Sequence, residues 1–104
     1  MEEREKDWKL KLQQGKLQTP FKHIAVIAEG IAGEIEGFNC PPGSAYMSMK
    51  TWASSDEEAA DMFQAIGKHI GFEVTGDIQL YYTEPNEPPT ENAYGYDIKF
   101  TPFS

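Results

Sequence analysis

Residues 44–71 read SAYMSMKTWA and then SSDEEAADMFQAIGKHIG, and the change of period between the two halves decides the fold. In the first half Ala45, Met47, Met49, Thr51 and Ala53 alternate with Tyr46, Ser48, Lys50 and Trp52. That period of two belongs to a strand whose two faces meet different surroundings. The second half follows helix rules throughout. Ser55 with Glu58 three residues on is a capping box, acids crowd the first turn, Lys68 and His69 lie in the last, and Gly71 is the stop. Ala59, Phe63, Ile66 and Ile70, widened by Met62, make one apolar stripe, so this helix is expected to lie across a sheet.

Downstream the alternation resumes. Phe72, Val74, Ile78, Leu80 and Tyr82 oppose Glu73, Thr75, Asp77, Gln79, Tyr81 and Thr83, and later Tyr94, Tyr96, Ile98 and Phe100 oppose Gly95, Asp97, Lys99 and Thr101. The connector Glu84–Ala93 holds three prolines, Pro85, Pro88 and Pro89, and three glutamates, the composition of a solvated hairpin loop.

Upstream, Asn39-Cys40-Pro41-Pro42-Gly43 is a breaker. Before it, Thr19-Pro20 reads as an N-cap with proline at the first helical position, and Ile24, Ile27, Ala28, Ile31, Ala32 and Ile35 recur at helical spacing. The expectation is a helix over 20–36, although Gly30 and Gly33 oppose it and Ile24-Ala25-Val26-Ile27 also fits a strand. Were it a helix, the glycines would admit another element close to its backbone. Positions 2–14 are rich in helix formers and are expected to be helical as well, Trp8 and Leu12 sharing a face, although Trp8, Leu10 and Leu12 also alternate with Lys9 and Lys11 as a strand would.

The expected fold class is α+β: a two-layer domain with a three-stranded, mainly antiparallel sheet and two or three helices on one face. The sheet is a split βαβ unit plus a hairpin, the last strand lying between the other two. Residues 1–18 form a basic N-terminal arm and 19–104 a single domain. With 104 residues, the core is small. Charge separates along the chain: residues 1–22 sum to +2 and the remainder to -10, with only Lys50, Lys68 and Lys99 against thirteen acids after position 22. A formal charge of -8 argues against direct nucleic-acid or anionic-membrane partners. No apolar leader or span stands out, and a single cysteine excludes an internal disulfide, so a cytoplasmic setting is expected.

If Met47, Met49, Ile78, Leu80, Ile98 and Phe100 lie under the helices, the open sheet face displays Tyr46, Trp52 and Tyr81 among Lys50, Asp77, Gln79, Asp97 and Lys99. Aromatic rings interspersed with charge suit a protein contact. The expected binding residues are therefore Tyr46, Trp52, Tyr81, Asp77 and Asp97, with Glu84, Glu87 and Glu91 as an acidic rim. The function this implies is a small acidic protein-binding or regulatory module, more non-enzymatic than enzymatic, whose partner is another protein or itself as a homodimer. The basic arm folding over the same face is the structural alternative.

No catalytic residue, metal ligand or cofactor is expected. His23 and His69 belong to no ligand motif, Cys40 has no visible activator, and Glu29, Glu34 and Glu36 lack the histidine companion of a di-metal site. Two alternative functions remain: a small-molecule-binding or simple enzymatic domain using a pocket between helices and sheet, with Tyr82, Tyr94, Tyr96 and Glu29 as polar groups, or an acidic inhibitor or decoy of a basic protein.

Overall fold

The computed structural model of the chain describes residues 2–15, 17–35, 37 and 40–103. In order these form α1 (Glu2–Gln13), β1 (Lys22–Ala32), β2 (Gly43–Ala53), α2 (Asp56–Ile70), β3 (Phe72–Val74), β4 (Gln79–Tyr82) and β5 (Tyr94–Pro102). The class is α+β with an open antiparallel sheet, but the sheet has five strands rather than three. Its order is β3-β1-β2-β5, with β4 also pairing β1.

The two extra strands have separate causes. Residues 22–32 are a strand, not a helix: β1 runs antiparallel to β2 along its whole length, from Lys22↔Ala53 to Ala32↔Gly43. Ile24, Val26, Ala28 and Ala32 point to the buried side, where β-branched residues pack well on a pleated surface. The expected strand over 72–83 is interrupted. Both its parts pair with β1, and between them the amides of Thr75 and Gly76 donate to the single carbonyl of Glu29 at 3.1 Å.

These changes rearrange the topology. β2 and β3 are both antiparallel to β1, so β2-α2-β3 is a split βαβ unit, as expected, but the intervening strand is β1 and not the last one. β5 pairs with β2 at the opposite edge, so β4 and β5 do not form a hairpin. The carboxylate stacking expected of Glu29 and Glu36 on a helix does not arise, since Glu29 is on β1; Glu36 itself lies outside the described residues, as does Asn39 of the breaker.

α2 forms for the reasons the sequence provides. Ser55 Oγ accepts from the amide of Glu58 at 3.1 Å, Glu58 Oε1 accepts from the amide of Ser54 at 2.7 Å, and the Gly71 amide closes on the Gly67 carbonyl at φ +120°. The helix packs on strands from across the sheet, and Phe63, Phe72, Ile24, Met47, Met49 and Val26 are fully buried between the layers. Gly30 matters here. A Cβ at this position would meet the Glu73 carbonyl oxygen and sit 2.6 Å from the Phe72 ring, so its absence lets Phe72 lie across β1 and reach Phe100 of β5 at 5.6 Å between centroids. The close approach expected at this glycine is real, but on a strand.

Only one of the two helices joins the second layer: among the described residues α1 has no extensive packing contact with another element, and its Leu10 is exposed. Cys40 is buried, with its thiol directed at the Pro41 carbonyl. No helix among the described residues is long and apolar enough to cross a membrane.

Candidate interaction face

The sheet surface opposite α2 has two halves. β1 contributes His23, Ala25, Ile27, Glu29 and Ile31 to it, β2 contributes Tyr46, Ser48, Lys50 and Trp52, and β4 contributes Gln79 and Tyr81. The face assignment of Tyr46, Trp52 and Tyr81 therefore agrees with the expectation, with Met47 and Met49 buried on the helix side. Exposure does not agree for all three. Tyr46 is 42% and Tyr81 52% exposed, but Trp52 is 3% exposed.

Trp52 is covered by the chain itself, through two departures from simple alternation. The first is a β-bulge in β5. Ser48 pairs with Lys99 while Lys50 pairs with Tyr96, so one extra residue is accommodated where Asp97 takes φ +54°. Aspartate tolerates this left-handed backbone better than most side chains. Ile98 and Phe100 thus keep company with the buried layer, while Tyr96 and Tyr94, beyond the bulge, stand beside Lys50 and Trp52 on the open face. All four had been expected on one side.

The second is the path of residues 83–93. Because β4 and β5 lie at opposite edges, the connector must pass β1 and β2, and it does so over the open face. It is a strap seated on hydrogen bonds, not a freely solvated hairpin loop. Trp52 Nε1 donates to the Glu87 carbonyl at 2.8 Å, and Tyr94 donates to the Pro88 carbonyl at 2.6 Å. The amides of Asn86 and Glu87 donate to the Tyr96 hydroxyl at 2.9 and 3.3 Å. Lys50 also reaches the Asn86 side-chain oxygen. Burial pushes the Tyr94 phenol up to about 12, with the Glu87 carboxylate adding to the effect.

His23 lies at the centre of this covered half. Nδ1 faces the Thr83 carbonyl at 2.9 Å, Nε2 faces the Tyr96 hydroxyl at 2.6 Å, and the ring meets Trp52 edge-on at 5.0 Å. A phenol oxygen has one proton and two lone pairs. Two strap amides take the lone pairs, so Tyr96 donates to Nε2, and the remaining imidazole proton sits on Nδ1, donating to Thr83. His23 is neutral in this arrangement. Burial holds its pKa below the ordinary imidazole value and the nearby Lys50 charge lowers it further, against the Thr83 carbonyl. The sequence offered no sign of this role, because a lone histidine on a strand has no motif.

The other half is bare. Tyr46 packs against Phe103 at 4.8 Å between centroids, and both are exposed, as is Ile31 on the neighbouring strand. Tyr81 donates to Gln79 at 2.7 Å. A hollow of about 290 Å³ lies between Tyr46, Ile27, Glu29, Gln79 and Asp77, which places Asp77 at the rim of the patch. Asp97 pairs with Lys50 at 3.1 Å and Lys99 at 3.7 Å, and the Lys50 ammonium holds its carboxyl below the usual range. Of the expected acidic rim, Glu84, Glu87 and Glu91 belong to the strap, with their side chains at the surface.

The polar groups expected around an inter-layer pocket do not converge. Glu29 and Tyr96 are on the open face, whereas Tyr82 donates to Asp56 Oδ1 at the start of α2, 2.8 Å away. Among the described residues no cluster of His, Cys, Asp and Glu could hold a metal ion. Comparison with family models, curated proteins and solved structures finds no match.

Proposed function

We propose that this protein is a non-enzymatic binding module that associates with a second copy of itself through the bare half of its sheet face. The observation that carries this reading is the exposed pair Tyr46 and Phe103, with exposed Ile31 on the neighbouring strand and exposed Tyr81 farther along the sheet on β4. Exposed rings and aliphatic groups on one face of a small domain mark contact sites, and twofold self-association is the commonest assembly.

Two of the three lysines that follow position 22, Lys50 and Lys99, lie on this sheet surface and share Asp97 between them, and Glu29, Glu73 and Asp77 belong to the same surface. Its charge is therefore mixed with an acidic excess, so the exposed rings rather than charge are what a second copy meets, and the contact is expected to resist salt. A cytoplasmic setting accompanies the reading, in keeping with a single buried free thiol.

Sedimentation equilibrium on the wild type and on Tyr46→Glu tests it. The wild type is expected to show a concentration-dependent dimer that persists in high salt, and the variant a monomer. A wild-type monomer throughout removes the proposal, and a salt-sensitive complex with a basic protein in its place supports the acidic-inhibitor reading.

A further inference from the structure

The covered half of the face is closed by a single hydrogen-bond arrangement that one proton upsets. We propose that the strap is a proton-operated cover: protonation of His23 unseats residues 84–93 and adds Trp52 and Tyr96 to the exposed sheet face. The enlargement of a docking surface rests on the reading above; the opening itself does not.

The argument is a count of donors. Tyr96 can donate to His23 only while Nε2 lacks a proton, because both phenol lone pairs are occupied by the amides of Asn86 and Glu87. A proton on Nε2 turns the 2.6 Å contact into a meeting of donors. Relief requires Tyr96 to release at least one strap amide, and those amides lie beside the carbonyls that hold Trp52 and Tyr94. The anchors are therefore coupled through one oxygen atom.

Among the described residues no carboxylate is paired with the ring to accommodate imidazolium. From β2 the ring faces Trp52 and the Lys50 ammonium; from β5 it faces Tyr96, with Tyr94 behind, while Asp97 is already paired to Lys50. The Thr83 carbonyl already accepts from Nδ1, and Tyr81 lies two residues back on β4. Glu84 follows Thr83 in sequence, and the Glu87 carboxylate acts on Tyr94. Released, the strap leaves His23 in water, where its affinity for a proton returns to the ordinary value, so acid favours the open form.

The chain has two tryptophans, so Trp8→Phe isolates Trp52. In that background, acrylamide quenching and emission of Trp52 are followed from about pH 8 to about pH 5, a range that brackets an imidazole. Quenching is expected to rise several-fold on acidification, with a red-shifted emission and unchanged far-ultraviolet circular dichroism. His69→Gln should retain the transition and His23→Gln should abolish it. Trp52 protected across the range in a folded chain, or a transition surviving in His23→Gln, overturns the proposal. Should His23→Gln fail to fold, Tyr96→Phe decides: without the shared oxygen Trp52 should be accessible throughout, and continued protection refutes the cover. Sedimentation on the same samples separates the two ideas, because opening without any dimer spares the cover and sinks self-association, whereas a dimer whose Trp52 never opens does the reverse.

Discussion

The two halves of the open sheet face draw on the same strands and similar residues, yet one is sealed and the other bare. On β2, Tyr46 and Trp52 are six residues apart with the same outward direction; Trp52 is roofed by the strap and Tyr46 is not. What differs is connectivity. A chain that leaves the sheet at β4 must re-enter at the far edge as β5, so its connector passes over the end of the face where those strands begin and finish. Residue type did not decide which ring became part of the core; the route of the backbone did.

Substitution should expose this contrast most strongly at Trp52. Trp52→Ala removes a fully packed ring and its bond to the strap, and a loss of about 3–5 kcal/mol is expected in urea denaturation. Equal losses for Trp52→Ala and Tyr46→Ala would dissolve the distinction. Next comes Tyr96→Phe, which deprives two backbone amides and His23 of their shared partner, at a cost of about 1–3 kcal/mol.

Between about pH 8 and about pH 5, above the carboxylate range, acid should act on the covered half. The folded pKa of His23 lies below its unfolded value, so its contribution is complete above the ordinary imidazole range and is lost as pH falls through the depressed folded value. Denaturation midpoints should accordingly decline on acidification in the wild type and stay flatter in His23→Gln. Alkali should reach the same region from the other side. The folded state holds the Tyr94 proton up to about 12, so stability is expected to fall as pH rises from the ordinary phenol range towards that value, and ultraviolet difference titration should show the Tyr94 phenol ionising late. The smallest stability effect belongs to the bare half, where Tyr46→Ala should cost less than about 1 kcal/mol while abolishing any dimer.

Sequence made some of this legible and hid the rest for identifiable reasons. α2 was readable residue by residue, because its caps, charges and stripe are local signals that agree. β2 was readable because one of its faces is uniformly small or apolar. β1 was not: Ala25, Ile27 and Ile31 are apolar on the face opposite Ile24, Val26 and Ala28, so alternation was masked and the spacing passed for a helix. The bulge at Asp97 left no pattern that distinguishes it from a regular strand, and it moved Tyr94 and Tyr96 to the other side. The strap misled for a different reason. Prolines and glutamates describe side chains that prefer water, but the strap is largely held through its carbonyls and amides, on which composition is silent. Of the expected contact residues, Tyr46 and Tyr81 are accessible, Asp77 and Asp97 flank them, and Trp52 needs the strap displaced first.

Both outer strands of the sheet are broken, one where β3 gives way to β4 and one at the Asp97 bulge, with Lys99 and Pro102 following. A ragged border is a poor template for further ladder growth, so copies of this chain gain little by lining up strand to strand. Contacts made through the flat of the sheet end once two flats have met. A pair formed in the proposed way would therefore be closed and would not extend into a filament.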